Sequence, residues 1–165
     1  MLTCLGVFTA NAQSTEFFTT VGFANGSATA KAPGIPDQSE SESGFYGGVG
    51  AIFELAEKSD IFAELSYMNI DDTNFVQLPV LFKYEFVNKL SVLAGPQLVY
   101  IAEESLGDDF TNFSVGLAAG LSYDFSNKLF AQARYMFQVT NTYTGSVDDV
   151  SLRTNFLNIG IGYKF

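Results

Sequence analysis

Seven charged side chains occupy alternate positions in otherwise apolar segments, and they are the first candidates for chemistry in this sequence. They are Glu54, Glu64, Lys83, Glu85, Asp124, Arg134 and Lys164. Alternation places them on one side of their segments, opposite the apolar side chains. An unpaired interior charge costs several kcal/mol, so we expect a closed network in which Glu64 pairs with Lys83 or Arg134. The alternative is a path for protons or ions.

A second group of charges is acidic and occurs mainly in pairs. Its members are Asp71-Asp72, Glu103-Glu104, Asp108-Asp109 and Asp148-Asp149, together with Asp37, Glu40 and Glu42. Clustered carboxylate oxygens suit Ca²⁺ or Mg²⁺, and the candidate ligands are Asp108, Asp109, Asp148 and Asp149. However, no segment has the spacing of an EF-hand loop. We therefore favour a solvated, mutually repulsive rim without a metal.

No residue pattern in the chain predicts an enzyme. His is absent from all 165 residues, which removes Ser-His and Cys-His nucleophiles and imidazole metal ligands. The segment "GFYGGVG" at 44–50 is rich in glycine but lacks the Lys and Ser or Thr of a phosphate-binding loop. Glycines that let a strand curve explain it better. We predict no catalytic residue and no cofactor.

The N-terminal segment indicates export. An apolar stretch from Leu2 to Phe8 precedes Ala10-Asn11-Ala12, which has the A-x-A pattern of a cleavage site. We predict a signal peptide over residues 1–12 and a single barrel domain over 13–165, the alternative being a short buried strand. Because no positive charge precedes the apolar stretch, we expect the true start to lie upstream. Cys4, the single cysteine, falls in the segment to be removed.

The overall composition points to a sheet that faces lipid. Hydrophobic residues make up 47% of the chain and charged residues 16%, against about 25% charged in ordinary soluble domains. Every apolar run is interrupted before it reaches the roughly 18 residues of a transmembrane helix. An apolar pattern with a period of two is instead typical of strands that cross a membrane. The net charge of −10 argues against nucleic acid as a partner.

A repeat defines how the strands are connected. The segments "YEFVNKLSVLAG" (84–95) and "YDFSNKLFAQAR" (123–134) share Tyr-acid-Phe, one further residue and Asn-Lys-Leu. A looser copy is "FELAEKSDIFAEL" (53–65), and "YKF" at 163–165 is the first part of a fourth. Each copy reads as a strand, a tight polar turn and a returning strand. The repeating unit is therefore a pair of strands.

Counting from these turns predicts eight strands, at 16–26, 44–56, 61–70, 74–86, 90–102, 111–125, 129–141 and 152–165. Three connections are short turns. The four at the other end are mostly longer and acidic, at 28–43, 71–73, 103–109 and 142–150. This segregation is typical of outer-membrane barrels. We predict an all-β fold, an eight-stranded antiparallel up-and-down transmembrane barrel.

Alternation within each strand separates two faces. In the sixth strand Leu117 and Leu121 lie opposite Gly116, Gly120 and Ser122. The polar face is small enough for the narrow interior of eight strands, so we place the apolar face in lipid. That face ends in aromatic residues, as membrane girdles do. At the short-turn end they are Tyr84, Phe86, Tyr123, Phe125, Tyr163 and Phe165.

With these features the sequence resembles the bacterial outer-membrane β-barrel domain family, the small porin-like barrels, whose last strand ends in an aromatic residue. The resemblance covers the mature chain, and its C-terminal part is Tyr163-Lys164-Phe165 preceded by alternating Leu157, Ile159 and Ile161. It implies a location in the bacterial outer membrane, in contact with outer-membrane lipid. It also implies that the barrel-assembly machinery reads the last strand as an address.

The resemblance says little about activity, because one fold hosts many functions. We expect an integral barrel with a plugged lumen, since eight strands leave space only for side chains. It would act as a structural anchor or interaction protein whose acidic extracellular loops meet an unknown ligand. One alternative is a narrow porin-like channel for ions or small solutes. Another is a soluble lipid-binding barrel with its apolar face inside.

Overall fold

The computed structural model describes residues 14–32, 34–102, 110–143 and 151–165. Within these ranges the chain forms β1 (Thr15–Ala32), β2 (Ile35–Ala56), β3 (Ser59–Ile70), β4 (Thr73–Val87), β5 (Leu90–Ile101), β6 (Phe113–Asp124), β7 (Leu129–Gln138) and β8 (Ser151–Lys164). Each strand pairs with the next, and β1 pairs antiparallel with β8, so the sheet closes. The predicted eight-stranded antiparallel barrel is confirmed. Among the described residues, no helix is long and apolar enough to cross a membrane.

The side chains alternate between the lumen and the outer surface, because successive residues of a strand point to opposite faces. In β6 the outward Leu117 and Leu121 are 59% and 49% exposed, whereas the inward Ala118 and Ser122 are 2% and 3% exposed. The same alternation of exposed and buried positions runs along β3, β4, β5 and β7. The apolar outer face is the one that the sequence pattern predicts.

The largest departure from the predicted elements lies between the first two strands. Residues 28–43 were expected to form a long loop, but β1 continues to Ala32 and β2 begins at Ile35. Gly34 has a φ of 77°, a left-handed conformation that glycine adopts without steric cost. Asp37, Glu40 and Glu42 therefore lie on a strand rather than in a loop. The prediction failed because a strand that leaves the membrane carries polar residues on both faces.

A second connection expected to belong to the loop end is a tight turn. β3 ends at Ile70 and β4 begins at Thr73, so only Asp71 and Asp72 connect them. Their φ values are 41° and 64°, the pair of positive angles that matches the twist of a two-residue hairpin. Asp tolerates this left-handed region better than most residues. The acids Glu103, Glu104, Asp108, Asp109, Asp148 and Asp149, like the predicted signal peptide, lie outside the described residues.

Candidate functional site

The centre of the lumen holds a fully buried ion pair between β3 and β7. Arg134 Nη2 lies 3.0 Å from Glu64 Oε1, and neither side chain has any exposed surface. Thr20 Oγ1 and Gln132 Nε2 each donate a hydrogen bond of 3.1 Å to Glu64 Oε2. Of the two partners that the sequence left open for Glu64, the structure places Arg134 beside it. The carboxylate thus receives three donors in a fully buried site.

Tyr46 completes this central layer, and the sequence analysis did not single it out. Gln132 Nε2 donates a 3.3 Å hydrogen bond to the hydroxyl of Tyr46, whose ring is 3% exposed. The ring lies over Gly22 and Gly160, which face each other across the β1–β8 pairing. A Cβ atom would come within 2.7 Å of the ring at Gly22 and within 2.4 Å of the hydroxyl at Gly160. Both positions therefore need glycine.

A second group of charges lies nearer the short-turn end of the lumen. Asp124 forms ion pairs with two lysines, with Lys164 Nζ at 2.8 Å and Lys83 Nζ at 3.2 Å, and Lys83 donates a hydrogen bond to it. Lys164 Nζ also lies 3.6 Å from Glu16, whose side chain is 47% exposed. Glu16 is a member of the group that the sequence analysis missed. Because this group is partly exposed to solvent, its ion pairs are screened more than the central Glu64–Arg134 pair.

Two predicted members of the charge network, Glu54 and Glu85, lie at the short-turn mouth. Glu54 is exposed, accepts a hydrogen bond from Ser14 and lines a cavity of about 220 Å³. Glu85 is half-buried and lines a cavity of about 340 Å³ beside Lys164. Neither carboxylate forms an ion pair with a residue that the structure describes. They line a charged vestibule.

Aromatic side chains fill the lumen between the two groups of charges. The rings of Phe18 and Phe62 stack at 4.7 Å, and Phe130 meets Phe18 edge-on at 5.5 Å. These rings are 1–2% exposed. Gly50 and Gly162 make room for them, since a Cβ atom would lie 2.3 Å from Phe18 at the first and 2.1 Å from Phe130 at the second. The sequence analysis expected only small and charged residues on this face.

On the loop side of the central ion pair the lumen is again mostly apolar. Met68 and Met136 are fully buried, and the rings of Phe75 and Phe156 meet edge-on at 5.2 Å. Between them Asn158 Nδ2 donates a 3.3 Å hydrogen bond to Gln77 Oε1. From one end to the other, the lumen therefore alternates charged, aromatic, charged and apolar layers.

The predicted girdle residues all lie on the outer surface at the short-turn end. Their exposed fractions run from 39% for Tyr163 to 74% for Phe165. Tyr123 meets Phe125 at 5.2 Å, and Tyr163 meets Phe165 at 5.7 Å, both edge-on. The backbone N–H of Phe165 donates a 3.0 Å hydrogen bond to the carbonyl of Phe17, so the last residue is tied to β1. Tyr84 and Phe86 are 41% and 47% exposed.

No metal centre is evident in the part of the chain that the structure describes. Within those ranges there is no group of three or more His, Cys, Asp or Glu residues that could hold a metal ion. The candidate ligands Asp108, Asp109, Asp148 and Asp149 lie outside the described residues. Of the acidic residues predicted for the loop end, the structure places Asp37, Glu40 and Glu42 on β2 and Asp71 and Asp72 in the turn before β4.

Comparison with solved structures places this architecture among small outer-membrane barrels. OprG of Pseudomonas aeruginosa is 16% identical with a TM-score of 0.50, over 93% of this chain and 97% of that one. Neisserial surface protein A is 18% identical with a TM-score of 0.52, over 93% and 100%. Ail of Yersinia pestis, in a phospholipid bilayer nanodisc, is 14% identical with a TM-score of 0.54, over 92% and 100%.

A sequence match agrees with the fold. Residues 71–144 match the family model described as outer membrane protein beta-barrel domain. The chain thus has the fold of a bacterial outer-membrane β-barrel. No curated protein matches it. The location in the outer membrane and the lipid environment predicted for the barrel are confirmed, and the exposed apolar residues of this outer-membrane barrel form its lipid-facing surface.

Proposed function

We propose that this outer-membrane barrel is a closed anchor that presents an acidic extracellular surface to a binding partner. The observation that carries the closed lumen is the Glu64–Arg134 pair, which spans the interior with both side chains fully buried. The stacked rings of Phe18 and Phe62 lie on one side of it, and Phe75 and Phe156 lie on the other. An eight-stranded barrel has little interior space beyond such side chains.

The interaction role rests on what the barrel exposes at its loop end. Glu40, Glu42, Asp71 and Asp72 are exposed there, and the remaining acidic pairs are predicted from the sequence to lie at the same end. Surfaces that carry function are usually built on loops and projections above a rigid scaffold. The interaction role includes no catalytic step, because the whole chain lacks His and the buried carboxylate Glu64 is occupied by hydrogen-bond donors. The proposal therefore includes an extracellular ligand that binds this acidic surface.

The closed lumen predicts an electrically silent protein. Wild-type barrel reconstituted into planar bilayers is expected to produce no discrete current steps, because buried rings fill the lumen on both sides of the central ion pair. A variant with Phe18→Ala, Phe62→Ala and Phe130→Ala removes one such layer and serves as the widened control. Wild-type protein that conducts as readily as this variant would contradict the closed lumen and support the narrow channel instead.

The C-terminal residue is proposed to act in assembly rather than in packing. Deleting Phe165 is expected to lower the amount of barrel exposed on cells, with periplasmic accumulation, while refolding in detergent stays near wild type. The ring is 74% exposed, and the deletion removes one backbone hydrogen bond, worth about 0.5–1.5 kcal/mol. Cell-surface labelling and in vitro refolding yield measure the two effects separately.

Two matched variants separate these effects. Phe165→Ala keeps the backbone hydrogen bond and removes only the ring, whereas Phe125→Ala removes another exposed girdle ring far from the terminus. We expect the first to reduce assembly in cells and the second to leave it unchanged. Normal surface levels for both Phe165 variants would exclude an address role. Failure to refold in detergent would instead identify Phe165 as a packing residue.

A further inference from the structure

At the loop end β1, β2 and β8 extend beyond the ends of β3 and β4. β1 pairs with β2 as far as Ala32 and Ile35, and with β8 as far as Lys31 and Ser151. In contrast, the pairing of β2 with β3 stops where Gly44 meets Ile70. We call the part of β2 over residues 35–43 the open edge. Among the described residues it pairs with β1 alone.

The open edge can accept another strand. In an antiparallel sheet, alternate residues direct their N–H and C=O groups to one neighbour and the others to the opposite neighbour. Half of the backbone groups over 37–43 therefore point away from β1, beyond the end of β3. Proteins usually blunt such edges with Pro or charge, and here Pro36 and the Lys31–Asp37 ion pair of 2.6 Å lie near the tip. The part from Gln38 to Ser43 has no Pro, and its only charges are the acidic Glu40 and Glu42, which would attract a basic strand.

A small cavity lies against the inward face of the same segment. It has a volume of about 140 Å³ and is lined by Glu40 and Glu42 from the open edge and by Phe75 and Phe156 from β4 and β8. Thr73 and Thr154 add hydroxyl groups. The cavity thus combines an aromatic wall with carboxylates at the rim. A long side chain with an apolar stem and a cationic end matches both parts.

The charges around this cavity lack a counter-charge. Within the described ranges, neither Glu40 nor Glu42 forms an ion pair, while Lys31 is engaged by Asp37. Repulsion from the nearby Asp71 carboxylate raises the pKa of Glu42 above its ordinary value, with a smaller contribution from Glu40. The carboxylates are crowded enough to oppose one another's ionisation. A cation placed between them would relieve this repulsion.

We propose that the open edge binds an extended peptide segment with basic residues at alternate positions, which adds to β2 as a further strand. Main-chain hydrogen bonds to residues 37–43 give the pairing, and one Lys or Arg side chain enters the cavity beside Glu40 and Glu42. This is strand addition with side-chain pockets for specificity. The inference rests on the proposed interaction role and names the class of partner.

The test uses a synthetic peptide of alternating Lys and Val, with wild-type barrel in phosphatidylcholine vesicles, whose neutral surface does not attract the peptide. We expect saturable binding and an infrared amide I band of strand type from carbonyl-labelled peptide. E40Q/E42Q should weaken binding about tenfold, the effect of two exposed ion pairs of about 0.7 kcal/mol each. E57Q/E85Q, which makes the same change in net charge at the opposite end, should bind as wild type does.

A second peptide and a second ligand separate strand addition from charge attraction. N-methylation at alternate residues leaves the charge intact and removes main-chain donors, so it should weaken binding about tenfold or more, as the loss of several hydrogen bonds predicts. Immobilised polylysine tests whether the acidic surface attracts positive charge, without requiring a peptide to pair with β2 as a strand. If the methylated and plain peptides bind equally, strand addition is wrong, while retention on polylysine leaves the interaction role standing. If neither peptide nor polylysine binds, both proposals are wrong.

Discussion

Replacing Glu64 with Ala is expected to lower the free energy of unfolding by about 3–5 kcal/mol, the usual cost of leaving one member of a buried ion pair without its partner. The guanidinium of Arg134 has no exposed surface and lies 3.0 Å from this carboxylate. The substitution also removes the acceptor for Thr20 and Gln132. Urea titration in detergent micelles measures the effect. Circular dichroism is the suitable signal, since the chain has no Trp.

Two further variants serve as controls for the stability loss expected of Glu64→Ala. Replacing both partners with Met removes the charges together, so E64M/R134M should recover most of the lost stability. Glu16→Gln breaks a pair at 3.6 Å whose carboxylate is about half exposed, which should cost only about 0–1 kcal/mol. If Glu64→Ala costs no more than Glu16→Gln, the central pair does not stabilise the barrel and water reaches the lumen.

Replacing Leu117 with Arg is expected to destabilise the barrel in liposomes by about 2–4 kcal/mol, the cost of a cation at the middle of the bilayer. Leu117 is 59% exposed on the outer face, near the centre of β6 and away from the aromatic residues at its ends. Equilibrium unfolding of the reconstituted protein measures the loss. The effect is the largest expected for a single change on the lipid-facing surface.

The control for this prediction uses the same residue type at a different depth. Phe113 begins β6 at the loop end and is 47% exposed, so Phe113→Arg should cost about 0–1 kcal/mol, as cations near the interface do. Gly116 is unsuitable as a control, because a Cβ atom there would meet Phe137 backbone at 2.3 Å. Equal costs at Leu117 and Phe113 would mean that depth in the bilayer does not govern this face.

The barrel and its two faces follow from sequence because they depend on local rules. A period of two fixes which residues share a face, and residue type then tells which face meets lipid. The Asn88-Lys89 turn, where Lys89 has a φ of 67°, could be placed from a repeated motif. Such features require no knowledge of what lies across the barrel.

The contents of the lumen could not be predicted in the same way. Which residues meet depends on the tilt and stagger of the strands, and neither can be read from one sequence. Glu64 pairs with Arg134 rather than Lys83 for this reason. The inward rings of Phe18, Phe62 and Phe130 were missed because the inward face was read only for its small and charged residues. The signal available was the even spacing that places Phe62 on the same face as Glu64 and Phe130 on the same face as Arg134.

The extent of the strands beyond the membrane was a separate failure. The segment from Gln38 to Ser43 reads "QSESES", with no apolar face to reveal its period. Backbone pairing with β1 holds it in place, aided by side-chain hydrogen bonds such as the one that Ser41 Oγ donates to Asn25 Oδ1 at 3.1 Å. Backbone pairing with a neighbour leaves little trace in residue type. The open edge and its cavity were therefore visible only in the structure.

The position of Tyr46 has a consequence for how long the barrel survives. Its ring, supplied by β2, covers Gly22 and Gly160 at the seam where the first and last strands meet. Separation of β1 from β8 exposes the buried ring and breaks its hydrogen bond with Gln132. The seam joins residues almost a full chain length apart, so the closure forms late and costs much entropy. We therefore expect loss of the Tyr46 ring to raise the unfolding rate of the barrel as well as to lower its equilibrium stability.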